Sequence, residues 1–362
     1  MKFSFFLLVL VHALVHLLGF VKAFQLAELK DFPIQVSKSA GLFWLGAAMM
    51  LLTVAIFYYL EIKDWWIFAF IGLLISQTLI ISQWPEAKFG TTLNLIILIV
   101  AVIALFQYNF EKKIQKETSV HIQNMEEVPS LTPESIQHLP TPVKLWLNRS
   151  GLVGKTPLKS VYSKQSYRLK LKPEQKNWYT ASAQQLSTVN PPSFIWSVDV
   201  WMMPLLFATG RDRFYHGEGE MLIKLMALFP VANEGKNYKI NEATLQRFLG
   251  EIVWYPSAAI MDYIHWKELD NHSAEATMQV GNISGSGIFE FDDEGKLTRF
   301  TTQRYMGSGA NAVKKDWIIE VLEHQAFEGI LLPNRCNATW RLETGDWIWA
   351  EIQIDSVYFN RD

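Results

Sequence analysis

Two histidines spaced four residues apart, His12 and His16, carry the first chemistry that stands out in the sequence. They lie in the apolar stretch FLLVLVHALVHLLGF, residues 6–20. A spacing of four puts both rings on one face of a helix. An ionisable group in so apolar a segment is a candidate functional site, because its charged form is costly there. The pair could carry protons or hold a small ligand, or neutral imidazoles could bridge neighbouring helices.

Later apolar segments supply polar partners for this pair. Ser76 and Gln77 lie within the third such segment, and Asn94 lies about one turn into the fourth. If the segments are antiparallel helices, the five residues fall at similar depth and form one polar cluster: His12, His16, Ser76, Gln77 and Asn94. The apolar segments contain no third strong metal ligand and no further histidine, so we expect neither a metal nor a haem there.

A second concentration of chemistry is the segment GRDRFYHGEGEM, in which Asp212 and His216 are candidate acid and base. The alternative is a solvated turn in which Gly217 and Gly219 supply positive φ. In an extended strand the side chains would alternate, with Asp212, His216, Glu218 and Glu220 on one face and Arg211 and Arg213 on the other. The sequence contains no G-x-S-x-G, P-loop or H-E-x-x-H motif, so enzymatic activity is neither predicted nor excluded.

Composition narrows the function classes further. The 362-residue chain has a net charge of -2, which gives no basic footprint for nucleic acid. Its one cysteine, Cys336, excludes an internal disulfide framework and a Cys-rich metal site. We therefore predict no cofactor, no metal and no nucleic-acid partner.

The histidines must be positioned by helices in the N-terminal part of the chain. Four apolar runs, at residues 4–23, 41–60, 66–83 and 91–107, each have the length needed to cross a bilayer. Their connections are short, which favours antiparallel neighbours. Residues 1–110 are therefore predicted to be a four-helix transmembrane bundle.

Beyond the bundle, residues 111–139 read as a polar linker and residues 140–362 as a soluble domain rich in antiparallel strands. A short helix is predicted from Thr141 to Gly151, and the main helix is NEATLQRFLGEIVWY, with Asn241 as its cap. Period-two stretches joined by turns surround it. The predicted fold class is thus a membrane α-helical bundle plus an α+β domain, in which a curved antiparallel sheet, an open half-barrel, packs a helix against one face.

Aromatic residues are abundant in this second domain. They could fill an ordinary core, or the sheet and helix could enclose an apolar cleft for a lipid-like ligand. For the cleft we predict a wall formed by the helix around Phe248 and Trp254, facing strands that carry Trp196 and Trp201.

Six blocks in order resemble a bacterial membrane-protein family known only as a domain of unknown function. The blocks are HALVHLLGFVKAF, EAKFGTTLNLIIL, LPTPVKLWLNRSGLVG, PPSFIWSV, GRDRFYHGEGEM and EIVWYPSA. The second domain is also similar to the open β-barrel of outer-membrane lipoprotein carriers, in its strand order and its P-P-x-F-x-W and R-D-x-x-x-x-G-x-G segments. That resemblance implies an apolar-ligand cavity, and neither resemblance implies a catalytic residue.

The sequence therefore predicts a membrane-anchored binding protein for an apolar or amphiphilic ligand. The alternatives are an enzyme that acts on a membrane-associated substrate through Asp212 and His216, or an assembly factor whose sheet docks a protein partner of unknown identity. We expect the bacterial cytoplasmic membrane as its location. Five lysines on the side of the second domain against four on the other favour a cytosolic second domain.

Overall fold

The computed structural model describes residues 2–27, 35–307, 309 and 311–361. The chain divides into two compact units, residues 1–112 and 113–362. Part of the connection predicted between the first two apolar segments, residues 28–34, lies outside the described residues.

The first unit is helical. Among the described residues, four helices are long and apolar enough to cross a membrane. The four apolar runs are therefore helical, as predicted. The bounds are α1 (Lys2–Ala23), α2 (Lys38–Tyr59), α3 (Trp65–Ser82), α4 (Trp84–Ala87) and α5 (Gly90–Gln123). The short α4, one turn with Pro85 in its first positions, was not predicted.

Small and apolar side chains lie between these helices. Ala13, Ala55 and Ala69 are fully buried, and Leu51 packs among them. The outward side chains are also apolar: Leu14 on α1 and Leu74 on α3 are 49% and 72% exposed. A helix that is apolar on its inner and outer faces differs from the amphipathic helix of a water-soluble bundle.

The segment predicted as a polar linker, residues 111–139, belongs to the second unit from residue 113 onward. Its first part continues α5 as far as Gln123. Its later part places Val128, Leu131, Ile136 and Leu139 in the main core of the second unit. Apolar residues spaced along a polar segment supply this core, so the second unit begins well before residue 140.

The second unit is one curved antiparallel sheet with a helix on its concave face, as predicted. Its order is β6-β5-β4-β3-β2-β1-β13-β12-β11-β10-β9-β8-β7. The helices are α6 (Thr141–Ser150) and α7 (Tyr238–Glu251), followed by 3₁₀ turns at Ile252–Trp254 and Pro256–Ile260. The strands are β1 (Ser160–Leu169), β2 (Tyr179–Thr188), β3 (Ser193–Met203), β4 (Leu206–Tyr215), β5 (Glu218–Leu225), β6 (Phe229–Gly235), β7 (Ile264–Asp270), β8 (Ser273–Val280), β9 (Ile283–Phe291), β10 (Leu297–Met306), β11 (Val313–Phe327), β12 (Ile330–Leu342) and β13 (Gly345–Phe359).

The curvature of the sheet follows from the position of α7. This helix contacts β4, β5 and β6 from one wing of the sheet and β8, β9 and β10 from the other. Strands so distant in sheet order can reach one helix only if the sheet bends around it. Phe214, Phe248, Phe289 and Phe300 are fully buried where the two wings meet α7.

Helix ends were predicted with mixed success. Gly151 ends α6 in a left-handed conformation, φ 73°, as its position after the helix suggested. The predicted cap of the main helix is wrong, because Asn237 caps α7 by accepting a hydrogen bond from the Ile240 amide. Asn241 instead accepts one from the Gly219 amide at 2.8 Å, which ties α7 to β5.

Candidate functional site

The concave face of the sheet has two parts. Under α7 it is tightly packed. Away from α7, on β1–β3 and β11–β13, lies a second buried group, formed by Tyr167, Leu169, Ala181, Ala183, Val198, Val200, Ala338 and Ala350. Half-buried apolar side chains pack against this group: Tyr179, Trp196, Ile319, Trp349 and Ile352. We call these five residues the apolar rim.

The apolar rim leaves part of the concave face accessible to solvent. Small residues form its floor, since four of the eight buried residues are alanines. Large aromatic and branched side chains around a floor of alanines form an apolar surface that is not fully covered by the chain itself. Such a surface, with a few polar groups nearby, is typical of a small-molecule site.

The four aromatic residues predicted to line a cleft do not share one surface. Phe248 is fully buried in the core, and Trp254 is 9% exposed and donates its indole N–H to the Pro333 carbonyl oxygen at 2.9 Å. Trp196 belongs to the apolar rim, whereas Trp201 is 49% exposed. An odd spacing of five along a regular strand puts these two tryptophans on opposite faces of β3.

A charged network lies beside the rim, centred on Arg247 of α7. The Arg247 guanidinium contacts the carboxylates of Asp212 at 2.9 Å and Glu251 at 2.8 Å. It also donates to the Gln185 side-chain oxygen at 3.0 Å. Its carbon Cζ lies 4.8 Å from the ring centre of Trp196, so the network and the apolar rim are continuous.

Burial and the neighbouring charges shift the pKa values of Asp212 and Arg247 in opposite directions. Burial raises the pKa of Asp212, although the charges of Arg247 and Arg304 oppose the shift. Burial would lower the pKa of Arg247, but the Glu251 and Asp212 carboxylates outweigh it and the pKa is raised. Arg247 therefore stays protonated and keeps two carboxylates close together on the concave side.

The predicted acid–base pair is not assembled. Asp212 faces Arg247 on the concave side, whereas His216 is exposed in the β4–β5 turn with its ring against Tyr215 at 4.1 Å. His216 and Gly217 both have positive φ, 51° and 79°, as a two-residue hairpin turn requires. No hydrogen bond joins Asp212 to His216 in the described chain, and the turn interpretation of His216 fits the structure.

The hairpin also changes which charged residues share a face. A hairpin turn at Gly217 sets Glu220 opposite Arg213 in register, so the predicted face containing Asp212 and Glu220 does not form. Glu220 instead contacts Arg211 at 3.0 Å and Arg213 at 2.6 Å. Burial would raise the pKa of Glu220, but the two arginines outweigh it and the pKa is lowered.

This ionic cluster fastens the end of α5 to the convex face of the sheet. Arg211, whose side chain is 3% exposed, contacts Glu117 of α5 at 3.2 Å. One turn later His121 stacks on Tyr215 with ring centres 4.5 Å apart and hydrogen-bonds Ser193 at 2.8 Å. Each carboxylate and guanidinium of this cluster forms at least one ion pair within the chain.

In the helical unit, the predicted polar cluster is assembled. His12 Nε2 lies 2.8 Å from Asn94 Oδ1, and His16 Nε2 lies 2.8 Å from Ser76 Oγ. Asn94 also donates to the side-chain oxygens of Ser76 and Gln77, at 2.9 and 3.0 Å. The cluster therefore links α1, α3 and α5.

The partners fix a consistent set of protons in this cluster. His16 Nδ1 lies 2.9 Å from the His12 carbonyl oxygen, an acceptor, so Nδ1 carries the proton and Nε2 accepts from Ser76. His12 Nε2 faces the Asn94 oxygen and must donate, which leaves His12 Nδ1 as a buried acceptor without a partner among the described residues. With both imidazoles neutral, the one hydroxyl proton of Ser76 goes to His16 Nε2, and the contact between Ser76 and Asn94 is then made by the Asn94 amide donating to Ser76 Oγ.

The helical unit also has a cavity of about 490 Å³ at one end, lined by the ion pairs Lys2–Glu61 and Lys63–Glu111. In the described part of the chain no group of three His, Cys, Asp or Glu residues is placed to hold a metal ion.

Sequence reasoning missed Arg247, Glu251 and Arg304, which carry the charge on the concave side. The i,i+4 spacing of Arg247 and Glu251 on an otherwise apolar helix face was a usable signal. So was the period-two pattern of β10, which places Arg304 on the face of Phe300 and Thr302.

Comparison with known proteins identifies the family of the chain. None of the curated proteins matches the sequence. Among solved structures, a match is the crystal structure of a LolA-superfamily protein, NE2245, from Nitrosomonas europaea. It is 9% identical, covers 61% of this chain and 94% of its own, and superposes with a TM-score of 0.30, too low to support a conclusion about function.

The profile of a family of unknown function, DUF6544, matches residues 129–352. This range takes in α6, the whole sheet except the end of β13, and α7. Because the match extends over more than half of the sequence, the chain belongs to the DUF6544 family of unknown function.

Proposed function

We propose that this protein is a membrane-anchored binding protein for an apolar or amphiphilic, lipid-like ligand, held on the concave face of the sheet. The observation that carries the proposal is the apolar rim, a set of half-buried aromatic and branched side chains around an alanine floor. Each buried methylene of an acyl chain would contribute about 0.8 kcal/mol before ordering costs. A rim of this composition suits an acyl chain better than a polar metabolite.

Membrane anchoring by the first unit is part of the proposal. Four helices have the length and hydropathy of a membrane span. Their outward side chains are apolar, which water would disfavour and lipid would accept. The polar residues of the first unit that lie deep in the helices are hydrogen-bonded to one another, as expected where water is absent.

The proposed location is the bacterial cytoplasmic membrane, with the second unit on the cytosolic side. The support is the small excess of lysines next to the second unit. Labelling of the single cysteine is unsuited to testing this, because Cys336 is buried. A protease site inserted into the exposed β12–β13 turn, probed in intact spheroplasts, would test the orientation.

The ligand proposal is tested with matched tryptophan variants of the full-length protein. A fluorescent fatty-acid analogue should bind saturably, with a Kd of about 1 μM or tighter. Trp349→Asp puts a charge into the apolar rim and should weaken binding about tenfold or more. Trp201→Asp changes an equally large residue on the outer face of the sheet and should leave binding unchanged.

Melting curves must accompany both variants, so that unfolding is not mistaken for lost binding. If the wild-type protein shows no saturable binding, or if folded Trp349→Asp binds as well as wild type, the concave face is not the ligand site.

A second candidate, docking of a protein partner, is favoured by two apolar hairpin tips. Leu205 between β3 and β4 is 73% exposed, and Phe229 at the start of β6 is 63% exposed. Met203 and Val231 beside them are exposed as well. Exposed apolar residues grouped in this way mark protein or membrane contact sites. Loss of a co-purifying protein in a Leu205→Ser, Phe229→Ser variant that still binds the fatty-acid analogue would support this function.

A further inference from the structure

Three tryptophans stand side by side on the concave face. In the sheet register Trp317 of β11 lies opposite Trp340 of β12, which lies opposite Trp347 of β13. Trp317 and Trp340 are 5% and 6% exposed, and Trp347 is half-buried. The row continues the apolar rim, because Ile319 and Trp349 lie two residues further along β11 and β13.

Two indole N–H groups of this row, and a third beside it, lack acceptors among the described residues. Nε1 of Trp317, of Trp347 and of the neighbouring Trp349 is buried and has no hydrogen-bond partner among the described residues. Buried Trp N–H groups normally find an acceptor, as Trp254 and Trp266 do in this chain. Three unsatisfied donors of one kind on one surface are unusual, since most buried side-chain polar atoms are paired.

Arg304 lies over the same row. Its guanidinium carbon is 4.8 Å from the ring centre of Trp317 and 5.7 Å from that of Trp340. Nε donates to the Ala243 carbonyl oxygen of α7 at 2.9 Å, which fixes the side chain in place. In the described part of the chain Arg304 forms no ion pair, whereas Arg247 has two.

The charge of Arg304 is balanced only from a distance. Arg247, Asp212 and Glu251 together carry one surplus negative charge, and both carboxylates are bound to Arg247 rather than to Arg304. Burial, followed by the repulsion of Arg247, lowers the pKa of Arg304 to about 10. Remote charges do not satisfy N–H donors, so the guanidinium of Arg304 has no carboxylate bound to it, and the indole N–H groups of Trp317 and Trp347 have no acceptor among the described residues.

We propose that Arg304, with the indole N–H groups of Trp317 and Trp347, binds the anionic headgroup of the ligand, a carboxylate or a phosphate. The inference rests on the proposed function and makes it more specific, because it assigns the two ends of an amphiphile to two neighbouring surfaces. The acyl chain lies against the apolar rim and the headgroup accepts hydrogen bonds from Arg304. A guanidinium suits both anions, since its planar fork of donors matches their oxygen geometry.

The test compares two probes that differ only in headgroup charge. Full-length protein in a neutral sugar detergent is titrated with 11-(dansylamino)undecanoic acid and with its methyl ester. The detergent competes with both probes, so the ratio of their Kd values reports the headgroup. The wild-type protein should bind the acid at least about tenfold more tightly than the ester, as expected for hydrogen bonds to a charged group.

Substitutions of two arginines on β10 then test which residue causes the preference for the acid. Arg304→Gln should abolish the preference for the acid and leave ester binding unchanged. Arg299→Gln is the matched control, because Arg299 lies on the outer face of β10, where it pairs with Glu320. It should keep the full preference. Arg304→Lys retains charge without the planar fork and should give an intermediate ratio.

Each outcome separates this proposal from the one on which it rests. Equal binding of acid and ester by the wild-type protein overturns the anion site while the lipid-binding function stands. A preference that survives in folded Arg304→Gln overturns the assignment to Arg304. Absence of saturable binding by either probe removes the proposed function itself.

Competition distinguishes the two anions. Stronger displacement of the acid probe by dodecyl phosphate than by dodecanoate assigns a phosphate headgroup, and the reverse order assigns a carboxylate. Equal displacement by both and by neutral dodecanol would contradict an anion site.

Discussion

At the scale of single residues, Arg247 determines whether the charged network is stable. Its guanidinium is the shared partner of Asp212 and Glu251, two carboxylates on different elements of the fold. Replacing Arg247 with Met keeps the aliphatic stem but leaves both carboxylates without their cation. We expect Arg247→Met to lower the free energy of unfolding by about 3 kcal/mol, because removing one partner of a buried ion pair leaves the other charge buried without a partner. Denaturant titration measures the loss.

The pH dependence of that loss identifies its cause. Without Arg247, burial and the nearby Glu251 charge raise the folded-state pKa of Asp212 further above its unfolded value. A group with a raised folded pKa stabilises the fold below its unfolded pKa and loses that contribution as pH rises through the folded pKa. The deficit of Arg247→Met relative to wild type should therefore shrink as pH falls from 7 toward about 4. A deficit that does not change with pH would indicate lost packing of the stem instead.

At the scale of elements, the contact between α7 and β5 depends on a glycine. A Cβ at Gly219 would lie 2.1 Å from Thr244 Oγ1 and 2.7 Å from the Ile240 carbonyl oxygen, both on α7. Its role is thus close packing rather than the positive φ expected from the sequence. Gly219→Ala should destabilise the protein by about 1–3 kcal/mol, because α7 or β5 must move.

The control for this substitution is Gly46→Ala in α2. A Cβ at Gly46 meets nothing within 4 Å, and alanine favours a helix. Thermal unfolding should show a lower transition temperature for Gly219→Ala and no decrease for Gly46→Ala. Equal transition temperatures for Gly219→Ala and wild type would mean that the α7–β5 contact is not tight.

Elements with strong periodicity could be predicted from the sequence, and their contacts could not. The four apolar helices, the strand-rich second domain and α7 were predicted from hydropathy and period-two alternation. Because of the hairpin at Gly217, Glu220 lies on the same face of the sheet as Arg213 and not on that of Asp212. The alternation along a single strand does not reveal this. The cap at Asn237 was missed because Asn241 fits the same local rule, and tertiary contact with β5 decides between them.

Long-range contacts also decided which parts of the candidate site could be predicted from the sequence. The polar cluster of α1, α3 and α5 was predictable because depth along a helix follows from residue count. Phe248, Trp201 and Trp254 were expected on one surface and lie on different ones. A large apolar side chain fits a core, a rim and an outer face equally well, so its type alone does not predict its place. Arg247 and Arg304 meet the rim only through the curvature of a thirteen-stranded sheet, which depends on long-range pairing.

At the scale of the whole molecule, each unit has a distinct kind of surface. The helical unit exposes apolar side chains along four helices of membrane-span length. The sheet unit has a convex face that carries the ion pair of Arg211 and Glu117, and a concave face that carries the apolar rim. Under the proposed function, the apolar outer surface of the helical unit contacts lipid and the apolar rim of the sheet unit contacts the ligand.

Native mass spectrometry of the full-length protein tests this account most directly. Wild-type protein released from detergent should retain one acyl-bearing molecule that Trp349→Asp loses and Trp201→Asp keeps. Comparing the two variants excludes lipid bound around the helices, because their helical units are identical. Wild-type protein that carries no such mass, or a bound mass that is the same in all three proteins, would contradict a ligand site on the concave face.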